Sequence, residues 1–208
     1  MMDIYRDIFR DYEELVAGAD KKFRDMEKGF GDRIKCEIKC SDCCRSVFGI
    51  FLIESVYLNL EFGRLDRRKR RELLIRVDKA QRELLEIEKR LQDGGRDNQA
   101  LSMARERVRC PLLDEGGKCA LYSARPLTCR VYGIPTLISG KVRACWKAGF
   151  QEGREYPVYD LDGAYRSLYE LSKKMLVRLG RKELDRASLL VSVSSSIKTP
   201  VEELLKPI

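Results

Sequence analysis

The sequence predicts a mainly α-helical domain in which irregular cysteine-bearing loops and a small β-hairpin surround a metal site. Three observations lead there. Apolar residues recur at helical spacing over several long stretches. Eight cysteines are present, seven of them within residues 36–44 and 110–129, beside turn-forming residues. Histidine is absent, so whatever these thiols bind they bind without imidazole.

The totals bound the answer. A chain of 208 residues suits one domain, and a 44% hydrophobic share is enough for a core. The net charge of +8 favours anionic partners only weakly. No run of about 18 apolar residues is present to span a membrane. The opening MMDIYRDIFRDYEEL lacks an apolar signal region, so a cytoplasmic location is expected. In that reducing compartment clustered cysteines are better read as metal ligands or redox groups than as disulfides.

Residues 3–28 read as an amphipathic helix, with Ile4, Ile8, Tyr12, Leu15, Val16 and Phe23 on one stripe and Gly29 and Gly31 at its end. The apolar run VFGIFLI over 47–53 is either a buried strand or the lead into a helix, and the chain then looks helical from Glu54 to about residue 65. Asp66 can cap a helix running to about Gln92. Its apolar positions Leu73, Val77, Ala80, Leu84, Ile87 and Leu91 alternate steps of four and three, and Asp93-Gly94-Gly95 stops it. A neighbour within the chain is the expected cover for so short a heptad pattern. The basic segment 64–76 opens this helix. A solvated face is its plain reading, and a patch for an acidic protein or nucleic acid the alternative, although no aromatic residues are interleaved for base stacking.

Val131 to Ile138 contains Gly133 and Pro135 and reads as extended or irregular. Ser139-Gly140-Lys141 is a turn, and Val142 to Trp146 a returning strand that presents Cys145. Trp146 is expected to pack. Residues 161–179 form a further amphipathic helix (Leu161, Tyr165, Leu168, Leu171, Met175, Leu179) ended by Gly180. Residues 182–190 suggest another helix, the serine-rich 192–198 a loop, and Thr199-Pro200-Val201-Glu202-Glu203 a short terminal helix. The layout is a single domain with a metal-binding core over about 36–146, flanked by the N-terminal helix and C-terminal helices over about 161–206.

The candidate ligands are Cys36, Cys40, Cys43, Cys44, Cys110, Cys119, Cys129 and Cys145. Spacings of two and three residues let a short turn aim several sulfurs at one point, as in zinc knuckles and Fe–S loops. The adjacent Cys43 and Cys44 project in different directions and can serve one cluster only with strained geometry, so two sites, or one ligand with one supporting thiol behind it, are both open. Asp114-Glu115-Gly116-Gly117 folds Cys110 and Cys119 toward each other. Pro126 biases Arg125 away from helix, so a helix carrying Cys129 begins at or just after it. Near a helix N-terminus a thiolate is favoured, and Arg125 and Arg130 can offset its charge.

The pattern Cys40-x2-Cys43-Cys44, then Cys110-Pro111-Leu112-Leu113, then Cys119-Ala120-Leu121-Tyr122-x2-Arg125-Pro126-x2-Cys129-Arg130, then Cys145, resembles the YkgJ-type cysteine-cluster family, also called CxxCxxCC. The likeness covers roughly residues 36–145. The three-residue gap between Cys36 and Cys40 departs from the two that the family name implies. The resemblance implies chelation of zinc or iron, and flagellin lysine methylases look similar in this region.

An iron–sulfur cluster of the 4Fe-4S type is favoured, since all-thiolate ligation suits it. Structural zinc in four-cysteine sites, in an interaction module, is the alternative. Cys36-x3-Cys40-x2-Cys43 also matches radical-SAM spacing. The surrounding chain lacks a βα rhythm, however, and Asp42 stands where that signature is usually aromatic. Arg125, Arg130 and Tyr122 are candidates for the residues around the ligands.

Overall fold

The computed structural model describes residues 5–36, 40–93, 103, 105–182 and 184–206. In chain order its helices are α1 (Arg6–Phe30), α2 (Leu52–Gly63), α3 (Arg67–Asp93), α4 (Leu127–Val131), α5 (Leu161–Arg178), α6 (Val193–Lys198) and α7 (Val201–Leu204). The strands β1 (Thr136–Ile138), β2 (Lys141–Arg143) and β3 (Tyr159–Asp160) form one small sheet in the order β2-β1-β3. The fold is mainly helical, as the sequence predicts. No helix among the described residues is long and apolar enough to cross a membrane. The chain forms two compact units, one of Met1–Cys40, Arg125–Ser188 and Pro207–Ile208, the other of Ser41–Ala124 and Leu189–Lys206.

In the first unit α1 is the long element. Ile8, Phe9, Tyr12, Val16, Ala19 and Met26 form its buried stripe, which packs on α4 and α5. From α5, Leu161, Ala164, Leu168, Met175 and Leu176 are buried. Ile4 of the expected stripe lies outside the described residues. The hairpin of β1 and β2 pairs Thr136 with Arg143 and Ile138 with Lys141. Ser139 and Gly140 fill its two-residue turn at φ 52° and 69°, the left-handed conformation such a turn needs. Asp162 holds that turn, accepting from the N–H groups of Ser139 (2.8 Å) and Gly140 (3.1 Å). The parallel pairing of β3 on β1 is unforeseen, because two residues carry no period to read.

In the second unit α2 is buried through Leu52, Ile53, Glu54, Ser55, Val56, Leu58 and Phe62. The run over 47–53 is thus the lead into a helix, with the Phe51 N–H donating to Glu54 Oε2 at 3.1 Å. Asp66 caps α3 by accepting from the Lys69 N–H at 2.9 Å. The heptad stripe of α3 is covered from within the unit. Leu73 and Val77 join Ile50, Leu58, Leu112, Leu121 and Ile197. Ala80 and Ile87 join Val108, with Val47, Leu84, Leu91 and Met103 against them. The expected stop at Gly94-Gly95 lies outside the described residues.

Two expectations fail. Residues 192–198 form no loop but the helix α6, because Ser192 caps it, accepting from the Ser195 N–H at 3.0 Å. Ser196 meets polar partners on α2. Ser196 Oγ stands 2.7 Å from Ser55 Oγ, and Asn59 Nδ2 donates to the carbonyls of Ser196 (2.8 Å), Ile197 (3.3 Å) and Thr199 (2.9 Å). Among the described residues of 182–190, only Asp185–Ser188 is helical, as a 3-10 turn.

Asn59→Ala leaves the α6 C-terminal carbonyls short of a donor and is expected to lower unfolding stability by about 1–3 kcal/mol, read from urea midpoints. Asp7 is held at about 2, below its ordinary 3.8, mainly because the Arg178 guanidinium donates to its carboxylate. A depressed carboxyl pKa contributes stability that is present above pH 3.8 and lost as pH falls from there toward 2. Asp7→Asn is therefore expected to flatten that part of a melting-temperature profile against pH.

Candidate metal centre

The second unit holds Cys43, Cys44, Cys110 and Cys119. Cys43 and Cys44 lie on a 3-10 turn, Cys43–Arg45, closed by the Arg45 N–H donating to the Asp42 carbonyl at 3.0 Å. The two sulfurs do not diverge. They stand 4.0 Å apart.

The chain returns alongside this turn 66 residues later. The Val108 N–H donates to the Arg45 carbonyl at 3.0 Å, and the Cys110 N–H to the Cys44 carbonyl at 2.7 Å. Ser46 and Arg107 form an antiparallel bridge beyond. Cys110 is therefore tied by its backbone to the turn that carries Cys43 and Cys44. The expected hairpin then follows. Leu113 bridges Cys119, the Ala120 N–H donates to the Leu112 carbonyl, the Asp114 N–H donates to the Lys118 carbonyl at 2.8 Å, and Asp114 Oδ1 accepts from the Lys118 N–H at 2.8 Å. Gly117, at φ 75°, supplies the left-handed residue of that turn. Cys110 and Cys119 pack against the same apolar cluster of Ile50, Leu58 and Leu112.

Cys110 and Cys43 acidify poorly by themselves. Burial pushes the Cys110 thiol up to about 12; the N–H groups of Leu112 and Leu113 pull it down, and the neighbouring Cys119 and Cys43 push it up again. Cys43 is raised by its hydrogen bond with Cys44 and then by burial. Cys119 and Cys43 thus both lie near enough to Cys110 to act on its thiol. Among the described residues, however, no three cysteine, aspartate or glutamate side chains converge tightly enough to hold one metal ion.

The first unit holds the other four, Cys36, Cys40, Cys129 and Cys145. Cys129 sits in α4, which begins at Leu127 as Pro126 predicts, with the Cys129 N–H on the Pro126 carbonyl at 3.0 Å. Cys145 follows β2, and its carbonyl accepts from the Ala148 N–H at 2.9 Å. Cys36 is exposed and lies against Gly133; the other three are half-buried.

Arg125 and Arg130 both reach Asp20 on α1. Arg125 Nη2 donates to Asp20 Oδ1 at 3.1 Å and Arg130 Nη1 to Asp20 Oδ2, while Arg130 Nε donates to the Arg125 carbonyl at 3.0 Å. Arg130 is buried, 6% exposed, so this is an interior charge cluster. Asp20 was not singled out by sequence. Its signal was there: it follows Val16 by four and precedes Phe23 by three, an acid on the buried side of α1. Tyr122 opens the 3-10 turn Tyr122–Ala124 and is 64% exposed. Trp146 is 71% exposed rather than packed, with Lys147 Nζ over its ring at 5.3 Å. In the basic segment, Arg64 pairs with Glu61, Arg68 with Glu72 and Lys69 with Asp66, and Arg76 Nε donates to the Pro111 carbonyl.

The family model CxxCxxCC, described as "Putative zinc- or iron-chelating domain", matches residues 35–145, more than half of the chain. The chain belongs to this family. The matched segment takes in all eight cysteines. No curated protein and no solved structure matches it.

Removing Asp20 strands a buried guanidinium. Asp20→Asn is expected to lower unfolding stability by about 3 kcal/mol, measured by urea denaturation, because an uncompensated interior charge is the dominant penalty.

Proposed function

We propose that the chain chelates one zinc or iron ion through Cys43, Cys44, Cys110 and Cys119. The carrying observation is the 4.0 Å separation of the Cys43 and Cys44 sulfurs. Two thiolates on a tetrahedral ion with bonds of about 2.3 Å lie about 3.8 Å apart, so this pair is spaced as ligands of a single ion. The donor chemistry fits as well. Four sulfur ligands with no imidazole select soft or borderline metals over magnesium or calcium. The backbone ties described above keep the second pair beside the first.

The same spacing bears on the kind of centre. A 4Fe-4S cluster takes one cysteine on each of its four irons, whereas a close pair suits two ligands on one metal. The supply of eight thiols in two sets of four is what supports the second reading, an iron–sulfur cluster. In a four-cysteine site every coordination position is filled by protein, and the role that follows is structural. The ion fastens the 43–44 turn to the 110–119 hairpin over the apolar cluster of the second unit. The clustering of eight cysteines also supports a reducing compartment.

Anaerobic purification followed by elemental analysis tests this. One zinc or iron per chain without acid-labile sulfide is expected, and Cys43→Ser or Cys110→Ser is expected to abolish it. Brown protein with inorganic sulfide moves the assignment to a cluster. Unchanged metal content in both variants overturns the proposal. Because the Cys43 and Cys110 pKa values are raised, metal uptake is expected to release protons and to weaken as pH falls. Chelator treatment is expected to lower the melting temperature.

A further inference from the structure

We propose that β2 is a docking edge, to which an extended, acidic segment of another protein adds as a further strand of the small sheet. The edge belongs to the first unit and the candidate metal centre to the second, so the two stand or fall separately.

β2 lies at one end of the sheet order β2-β1-β3. In the register of the hairpin, Ile138 and Lys141 flank the two-residue turn and exchange hydrogen bonds, as do Thr136 and Arg143. The N–H and carbonyl of Val142, between them, therefore point away from β1. No other strand among the described residues covers that side. The edge is also held in place. The Thr136 hydroxyl donates to the Arg143 carbonyl at 3.2 Å, and Asp162 fixes the turn. A stiff edge with an outward donor and acceptor is what strand addition uses.

The side chains say which strand fits. Lys141 and Arg143 project to one face of the sheet and Val142 to the other, and all three are exposed. Neither cation has a carboxylate partner among the described residues, and no acid occurs from Ser139 to Gln151. A second copy of this chain is a poor occupant. Antiparallel pairing about Val142 would set Lys141 opposite Arg143 twice, like charges across the ladder. A strand with acids at those positions and an apolar residue between them turns that repulsion into attraction. Cations on an edge also deter self-aggregation. Defence alone does not account for Val142 at 60% exposure, or for Trp146, shortly after the strand, at 71%. Single-stranded nucleic acid fits less well, because β2 carries no run of aromatics on which its bases could stack.

The full-length protein as purified is titrated into a labelled, end-capped peptide alternating Glu and Val. Binding is read by peptide anisotropy and by the emission of Trp146, the single tryptophan of the chain. Saturable binding that shifts Trp146 emission and weakens as salt rises is expected. The peptide with Pro in place of Val keeps the charge but lacks the N–H groups that would face β2, and is expected to bind about tenfold or more weakly. Val142→Pro, which an edge tolerates where the N–H faces outward, is expected to weaken binding as much. Lys141→Glu with Arg143→Glu is expected to lose about tenfold and to gain affinity for a peptide alternating Lys and Val. The peptide comparison does not depend on any variant folding. Equal binding of the Pro peptide reduces the contact to charge and overturns strand addition. Undiminished binding to the charge-reversed chain overturns β2 as the place. No saturable binding of the Glu–Val peptide, tighter binding of a single-stranded oligonucleotide, or dimerisation of the chain that Val142→Pro abolishes, overturns the acidic strand as occupant.

Discussion

The hydrogen bond from the Cys110 N–H to the Cys44 carbonyl, at 2.7 Å, is the contact on which the candidate centre depends. It joins positions 66 apart in sequence, and with the Val108-to-Arg45 rung it lays two irregular segments side by side. Backbone groups at such a junction need partners, and here each segment satisfies the other. Without that pairing Cys110 and Cys119 would have no fixed relation to Cys43 and Cys44. The long α2 and α3 supply the apolar floor beneath, and α6 closes it through Ile197.

Much of this was legible in the sequence, and the reasons differ by element. The helices α1, α3 and α5 announce themselves by period, and the Ser139-Gly140 turn by its residue types. The turn between Cys110 and Cys119 was readable because Gly-Gly between short apolar segments has few alternatives. The strand β3 was not, since pairing of Tyr159 and Asp160 with β1 is decided by tertiary contact. The helix α6 was misread because serine is a poor helix former in isolation. Its helicity comes from a cap at Ser192 and from Ser55 and Asn59 on another element, which no local window contains.

The site shows the same division. The expectation that the cysteines are ligands rests on their type and spacing. Their sorting into two sets of four follows from the path of the chain. Cys36 and Cys40 fall in one compact unit and Cys43 and Cys44 in the other, although eight residues separate the outermost pair. Direction along the backbone misled in one place. Adjacent residues are expected to point their thiols apart, yet the sulfurs of Cys43 and Cys44, on a 3-10 turn, stand 4.0 Å apart.

The two arginines of the Arg125-Pro126-x2-Cys129-Arg130 motif look at first like chemistry. Their shared anchor, Asp20, lies outside the stretch that family similarity delimits. The border drawn by similarity therefore cuts through an electrostatic bond. A fragment excised along that border would carry an interior cation with its counter-ion left behind, so the segment that evolution marks as a module is not the segment that physics treats as one.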